Sequence, residues 1–234
     1  MALHGFTLGG AMFEEMAGMV DADIVAPDLP GHGGRDGTGC SWPNAVGELK
    51  ALIAHHRPDV IVGYSMGGRL LVPIALASEL GFAAVFVSSG VGIADPAERA
   101  DRRRADDALA EHIEEIGAEE FAAGWESREQ LGGHAHLSEV RRANTKEGIA
   151  AALRGMGQGI QPYFGDRLET MPRPTWWIAG ELDPKYMAMA QLAAATAPDA
   201  TLVVAPAARH NVVADSPEVV ATSVRTAIAS RRSV

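Results

Sequence analysis

Apolar residues fall along this chain in two rhythms. Short continuous runs, at 22–26, 59–62, 82–88, 174–179 and 201–205, have the length and composition of strands covered on both faces, as in a parallel sheet. Between them, apolar positions recur at three- and four-residue spacing. Helices are predicted over 11–19, over 42–56, where Ala45, Leu49, Leu52 and Ile53 share a face, and over 66–80 and 186–196. A last helix opens with Ser216 as N-cap, Pro217 in the first turn and Glu218 beside the positive helix end. With a stub strand at Leu3, this alternation predicts an α/β fold, a mostly parallel sheet of about six strands with helices on both faces. Between 96 and 163 the rhythm breaks. Charged and alanine-rich segments at 98–116, 119–129 and 138–156 predict a helical lid inserted into a single domain spanning 1–234.

Composition narrows the class. At 234 residues and 47% hydrophobic content the chain can bury one sizeable core. No apolar run reaches the roughly 18 residues that span a membrane, and no signal sequence opens the chain, so a soluble, cytoplasmic protein is expected. The single cysteine, Cys40, fits a reducing compartment. A net charge of -10 argues against nucleic acid or an anionic membrane as partner. A small anionic substrate stays compatible with it, because charges beyond about 8 Å are largely screened and a local arginine cluster then decides.

The chemistry gathers around Gly63-Tyr64-Ser65-Met66-Gly67-Gly68-Arg69, between the strand 59–62 and the helix after it. Glycines two residues either side of a serine, at a sharp strand-to-helix turn, leave no room for side chains and push the serine hydroxyl out at the top of a sheet. The near-N-terminal turn His4-Gly5-Phe6 places the Phe6 N–H where it can join that of Met66 as an oxyanion hole. His4 and His32 then read as loop-shaping residues. His210 and Asp183 each lie just beyond the C-terminal end of a predicted strand, where open parallel sheets place their ligands. The order Ser65, Asp183, His210 supplies a nucleophile or base, an orienting acid and a proton carrier. Asp95, after the strand 82–88, is the rival acid. His134-Ala135-His136 has a spacing seen in metal sites, but without a third ligand nearby it reads as a polar loop, and no metal is expected.

The arginines point to an anionic ligand. Arg69 sits one helical turn after Ser65. In the run Asp101-Arg102-Arg103-Arg104 successive side chains point about 100° apart, so Asp106 and Asp107 cannot neutralise all three from one direction, and one can face a pocket. Arg141 or Arg142 offers another. Arginine matches carboxylate geometry with two parallel bonds, so two or three would select a polyanion.

These residues carry a resemblance. Leu3-His4-Gly5-Phe6, Asp28-Leu29-Pro30-Gly31-His32-Gly33-Gly34, the serine turn, Glu98-Arg99-Ala100 running into Arg102, Trp125, Arg141 before Asn144, Gln161-Pro162, Gly180-Glu181-Leu182-Asp183 and His210-Asn211 resemble the alpha/beta-hydrolase superfamily. Within it, they are similar to the 2-succinyl-6-hydroxy-2,4-cyclohexadiene-1-carboxylate synthases of menaquinone biosynthesis, lyases that eliminate pyruvate from a precursor bearing three carboxylates. The resemblance implies that Ser65, with His210 and Asp183, removes a substrate proton, and that Phe6 and Met66 hold the oxyanion. It also implies that Arg69, Arg102 and Arg141 bind carboxylates, that Tyr64 and Trp125 line the pocket, and that no cofactor is needed. Only Met1 and Ala2 precede Leu3, where this superfamily usually has two further strands, so either the sheet is short or the true start lies upstream. A short sheet would expose the edge of the strand 22–26, expected to be blunted or covered in a homo-oligomer. The competing readings are a carboxylesterase or carbon–carbon bond hydrolase with Ser65 as nucleophile, and a ligand-binding receptor on the same fold.

Overall fold

The computed structural model describes residues 1–77, 81–131, 133–172 and 174–232. Its five strands, β1 (Ala2–Leu3), β2 (Val60–Tyr64), β3 (Ala83–Val87), β4 (Thr175–Gly180) and β5 (Ala200–Ala205), form one parallel sheet in the order β1-β2-β3-β4-β5. β2, β3 and β4 are buried along their whole length, which is why they read as unbroken apolar runs. Successive side chains enter opposite cores. Leu3, Ile61, Phe86 and Trp177 face one side, where the Phe86 and Trp177 rings stack 4.2 Å apart. Ala2, Val60, Val62, Val85, Trp176 and Ile178 face the other.

Helices cover both faces. A 3-10 turn at Gly10–Phe13 runs into α1 (Glu14–Ala17), and α2 (Trp42–His56) and α3 (Met66–Leu76) follow; of the expected helix 66–80, Ala77 is a turn that caps α3 and residues 78–80 lie outside the described residues. Between β3 and β4 stand α4 (Pro96–Ile116), α5 (Ala118–Glu126), α6 (Ser138–Arg142) and α7 (Lys146–Met156), with their own small core of Ala110, Ile113, Phe121, Ile149 and Leu153. After β4 come α8 (Pro184–Thr196), then α9 (Val212–Asp215) and α10 (Pro217–Arg232). Among the described residues no helix is long and apolar enough to cross a membrane.

Three expectations need correction. The segment 22–26 is not a strand, so the sheet has five strands rather than six. It runs beside β1, joined to it by the Ala2 N–H donating to the Val25 carbonyl at 2.8 Å, and Pro27 has no N–H to extend the pairing. The expected helix 138–156 is two, because Thr145 caps the second by accepting the Gly148 N–H at 3.1 Å. The expected helix 119–129 ends at Glu126 and is followed by a 3-10 turn, Glu129–Leu131.

Candidate active site

Ser65 follows β2 directly and stands at φ 47°, ψ -107°, a conformation that strains any residue but glycine. The two glycines hold it there. A Cβ on Gly63 would come within 2.5 Å of the Gly68 Cα, and one on Gly67 within 2.3 Å of the Leu3 carbonyl oxygen. The Gly67 N–H donates to the His4 carbonyl at 2.9 Å, locking the serine turn onto the turn that carries Phe6. Phe6 and Met66 both line the cavity that holds Ser65.

His4 and His32 brace that turn from beneath. His4 Nε2 accepts the Leu29 N–H at 2.9 Å and His32 Nε2 accepts the Thr7 N–H at 3.2 Å. Their Nδ1 atoms sit 2.8 Å and 3.1 Å from the Gly5 and Pro30 carbonyls, to which they donate. Both rings are buried, which pushes their pKa values down to about 4 and about 3 respectively, so both are neutral structural groups.

Asp183 and His210 come from the C-terminal ends of β4 and β5. The two loops are tied together by Glu181 N–H to the Ala205 carbonyl at 3.0 Å and Leu182 N–H to the Ala208 carbonyl at 2.9 Å. His210 Nδ1 lies 2.8 Å from Asp183 Oδ2, and His210 Nε2 lies 3.1 Å from Ser65 Oγ. Asp183 also caps α8, its Oδ1 accepting the Tyr186 N–H at 3.2 Å. The imidazole is flanked by Tyr186 and Tyr64, with ring centroids 4.5 Å and 5.6 Å away. With its Nδ1–H given to the carboxylate, Nε2 is left to take the serine proton. The rival acid Asp95 is occupied elsewhere: it caps α4, accepting the Ala97 and Glu98 N–H groups at 2.7 and 2.9 Å.

The cavity around Ser65 has a volume of about 370 Å³, and Arg69, Arg102 and Trp125 line it together with Gln158, Tyr186, Lys185 and Arg128. Arg69 is 5% exposed, donates from Nη1 to the Met156 carbonyl at 2.9 Å, and has no partner for Nε among the described residues. Burial lowers its pKa to about 10. Of the arginine run, Arg102 is the member that turns inward, gripped by Asp106 at 2.8 Å through Nε and by Gln158 Oε1 at 3.2 Å through Nη1; Arg104 pairs with Asp101.

Two expected pocket residues do not line this cavity. Tyr64 is buried against Gly5, where a Cβ would meet its ring at 2.6 Å. Arg141 is 2% exposed, with Nε and Nη1 unpartnered among the described residues; its charge acts on Tyr64, and the Glu126 carboxylate acts on Arg141. His134, rather than binding with His136 to a third ligand, pairs with Asp215 at 2.7 Å. Asp215 in turn accepts the Arg209 N–H at 2.6 Å, and the His210 N–H donates to the Gln130 carbonyl at 3.1 Å. The segment between β3 and β4 is thus tied to the histidine loop through Gln130 and His134.

Sequence reasoning missed Gln158, Tyr186, Lys185 and Arg128. Gln158 joins three of the lining groups: its Oε1 accepts from Arg102 and, at 3.0 Å, from Lys185, while its Nε2 donates to the Tyr186 hydroxyl at 2.6 Å. Lys185 and Tyr186 follow Asp183 at once, and Arg128 stands three residues after Trp125, one helical turn, so their sequence positions did carry a signal.

Comparison with known proteins places the chain in a family. The model of the Alpha/beta hydrolase family matches residues 2–223. A putative 2-succinyl-6-hydroxy-2,4-cyclohexadiene-1-carboxylate synthase of Bacillus subtilis (strain 168) is 32% identical, over 93% of this chain and 85% of its own. A 2-succinyl-6-hydroxy-2,4-cyclohexadiene-1-carboxylate synthase of Escherichia coli O139:H28 (strain E24377A / ETEC) is 28% identical, over 95% of this chain and 90% of its own. The solved structure of MenH from S. aureus shares the fold with a TM-score of 0.89, at 24% identity over 99% of this chain and 93% of that one. The chain belongs to the alpha/beta hydrolase family.

Proposed function

We propose that this protein is the menaquinone-pathway lyase that eliminates pyruvate from 2-succinyl-5-enolpyruvyl-6-hydroxy-3-cyclohexene-1-carboxylate to give 2-succinyl-6-hydroxy-2,4-cyclohexadiene-1-carboxylate. Full-length similarity to synthases of that product supports the reading. The observation that carries it over ester hydrolysis is Arg69, a buried guanidinium one turn behind Ser65, facing the same cavity with Nε unpartnered among the described residues. Cleaving a neutral ester needs no such group, and its burial is costly without an anion to meet it.

In this reading Ser65 Oγ passes its proton to His210 Nε2 and takes the substrate C–H proton. Asp183 keeps the imidazole in the required tautomer and stabilises the imidazolium. The electron pair of the broken C2–H bond forms a C2=C3 double bond, the ring's existing C3=C4 pair shifts to C4=C5, and the C5–O bond to the enolpyruvyl group breaks. The departing enolate is protonated from His210 and leaves as pyruvate. The N–H groups of Phe6 and Met66 hold the negative charge that develops on the substrate oxygen. Arg69 and Arg102 bind carboxylates directly, Trp125 packs on the ring, and Tyr64 and Arg141 act from behind, by packing and by charge. Residues 96–163 serve as the lid over this site.

The test is pyruvate release from enzymatically generated precursor, with p-nitrophenyl acetate hydrolysis and Ser65→Ala run beside it. Fast, Ser65-dependent pyruvate release with feeble ester cleavage is expected. Ester cleavage without pyruvate release would refute the lyase and leave an esterase.

A further inference from the structure

The cavity that holds Ser65 is lined by the cations Arg69, Arg102, Arg128 and Lys185 against one carboxylate, Asp183, already engaged by His210. Three of these cations are held by the chain itself: Arg69 by the Met156 carbonyl, Arg102 by Asp106 and Gln158, and Lys185 by Gln158. Arg128 is different. Its guanidinium has no carboxylate or hydrogen-bond partner among the described residues, and its Cζ stands 4.0 Å over the Trp125 ring. Trp125 is itself fixed, with Phe6 edge-on at 5.5 Å and Phe121 tilted at 5.3 Å. The neighbouring carboxylate of Glu126 is turned to Ser138, 2.8 Å away.

Stacking occupies the face of a guanidinium and leaves its in-plane N–H edge to bind. Arg128 is therefore a pre-positioned fork, ordered on a rigid aromatic platform before any ligand arrives, so little side-chain entropy is lost when a carboxylate docks. The proposed substrate carries three carboxylates, Arg69 and Arg102 face the cavity, and Arg141 does not line it. Resting on the lyase reading for its substrate, we propose that Arg128 is a specificity-determining residue that binds the third carboxylate, the one at the end of the succinyl arm. Of the three carboxylates the one at the end of that arm lies furthest from the reacting bonds, so its capture governs affinity rather than chemistry.

The experiment compares wild type, Arg128→Ala and Arg128→Lys in two assays: kcat and KM for pyruvate release, and calorimetric binding of propane-1,2,3-tricarboxylate, with its trimethyl ester as the uncharged control. In Arg128→Ala, KM for the precursor should rise roughly 10-fold or more with kcat within about threefold, and tricarboxylate affinity should fall by a similar factor. Arg128→Lys, which keeps the charge and loses the fork, should recover only part of either. Equal tricarboxylate affinity in wild type and Arg128→Ala, an unchanged KM, or equal binding of the trimethyl ester would overturn the proposal. Tricarboxylate binding that depends on Arg128 in a protein that releases no pyruvate would sink the lyase reading and leave the Arg128 assignment standing.

Discussion

Arg69→Met should stabilise the fold while it disables the site. The guanidinium is held in the protein interior, where burial lowers its pKa from the usual arginine range to about 10. At about 1.4 kcal/mol for each tenfold change in proton affinity, the folded state gives up about 3 kcal/mol to carry this charge. A cation whose folded pKa is depressed destabilises the fold fully below pH 10 and ever less as the pH rises toward the ordinary arginine range. Methionine removes the charge and keeps most of the length. Against that gain stands the lost bond to the Met156 carbonyl, 2.9 Å in the structure, whose acceptor is left bare at a cost of about 1–3 kcal/mol. The net change runs from about zero to about 2 kcal/mol in favour of the variant, or up to roughly 8 °C in Tm for a chain of this size. Activity moves the other way. Two charge-assisted bonds to a carboxylate, at about 1.5–3 kcal/mol each, correspond to a loss of roughly 10²–10⁴ in kcat/KM. The assays are scanning calorimetry at pH 7 and pyruvate release. If Tm falls together with activity, Arg69 is a tether for the end of α7 and its charge serves packing; if kcat/KM stays within about threefold, it is not a carboxylate anchor.

Ser65→Gly should raise the denaturant midpoint by the equivalent of about 1–2 kcal/mol, since glycine accepts φ 47° without strain, while turnover is lost; an unchanged or lower midpoint would show that the serine turn stores no strain. Acid should unfold the protein through His4 and His32. Their folded pKa values, about 4 and about 3, lie below the unfolded value of 6.5, so the stability they contribute is present above pH 6.5 and is lost as the pH falls. By pH 5 each has given up about 2 kcal/mol, readable as a falling urea midpoint between pH 7 and 5; a flat midpoint over that interval would contradict neutral burial of the two rings.

The residues that the sequence made legible share one property: their position relative to a strand end fixes where they point. Ser65, Asp183 and His210 each follow the C-terminal end of a strand, buried β2 and β4 and the more exposed β5, and the parallel sheet brings three such ends together whatever the loops between them do. Arg102 was half legible. Helical geometry predicts that one of Arg102, Arg103 and Arg104 faces a pocket; Arg102 does so while still paired with the local acid Asp106, and it is aimed by Gln158, a residue over fifty positions away in a glycine-rich turn with no periodic signal. The segment 22–26 was misread because its composition is that of a strand, while strand formation depends on a partner, and β1 provides two residues. Arg141 illustrates the same limit: an arginine beside Asn144 is a reasonable anion ligand until packing places it next to Tyr64 instead.

The contacts between the β3–β4 segment and the histidine loop bear on how this protein can be engineered. Gln130 and His134 belong to the segment between β3 and β4, yet their partners, His210 and Asp215, follow the last strand. A chimaera that exchanged residues 96–163 for the corresponding piece of another enzyme, in the hope of grafting a new pocket, would also strip two supports from the loop that carries the imidazole. The exchangeable unit is therefore discontinuous: the insertion must travel with residues 209–215, and a library that shuffles one without the other will mix specificity changes with a loosened proton carrier.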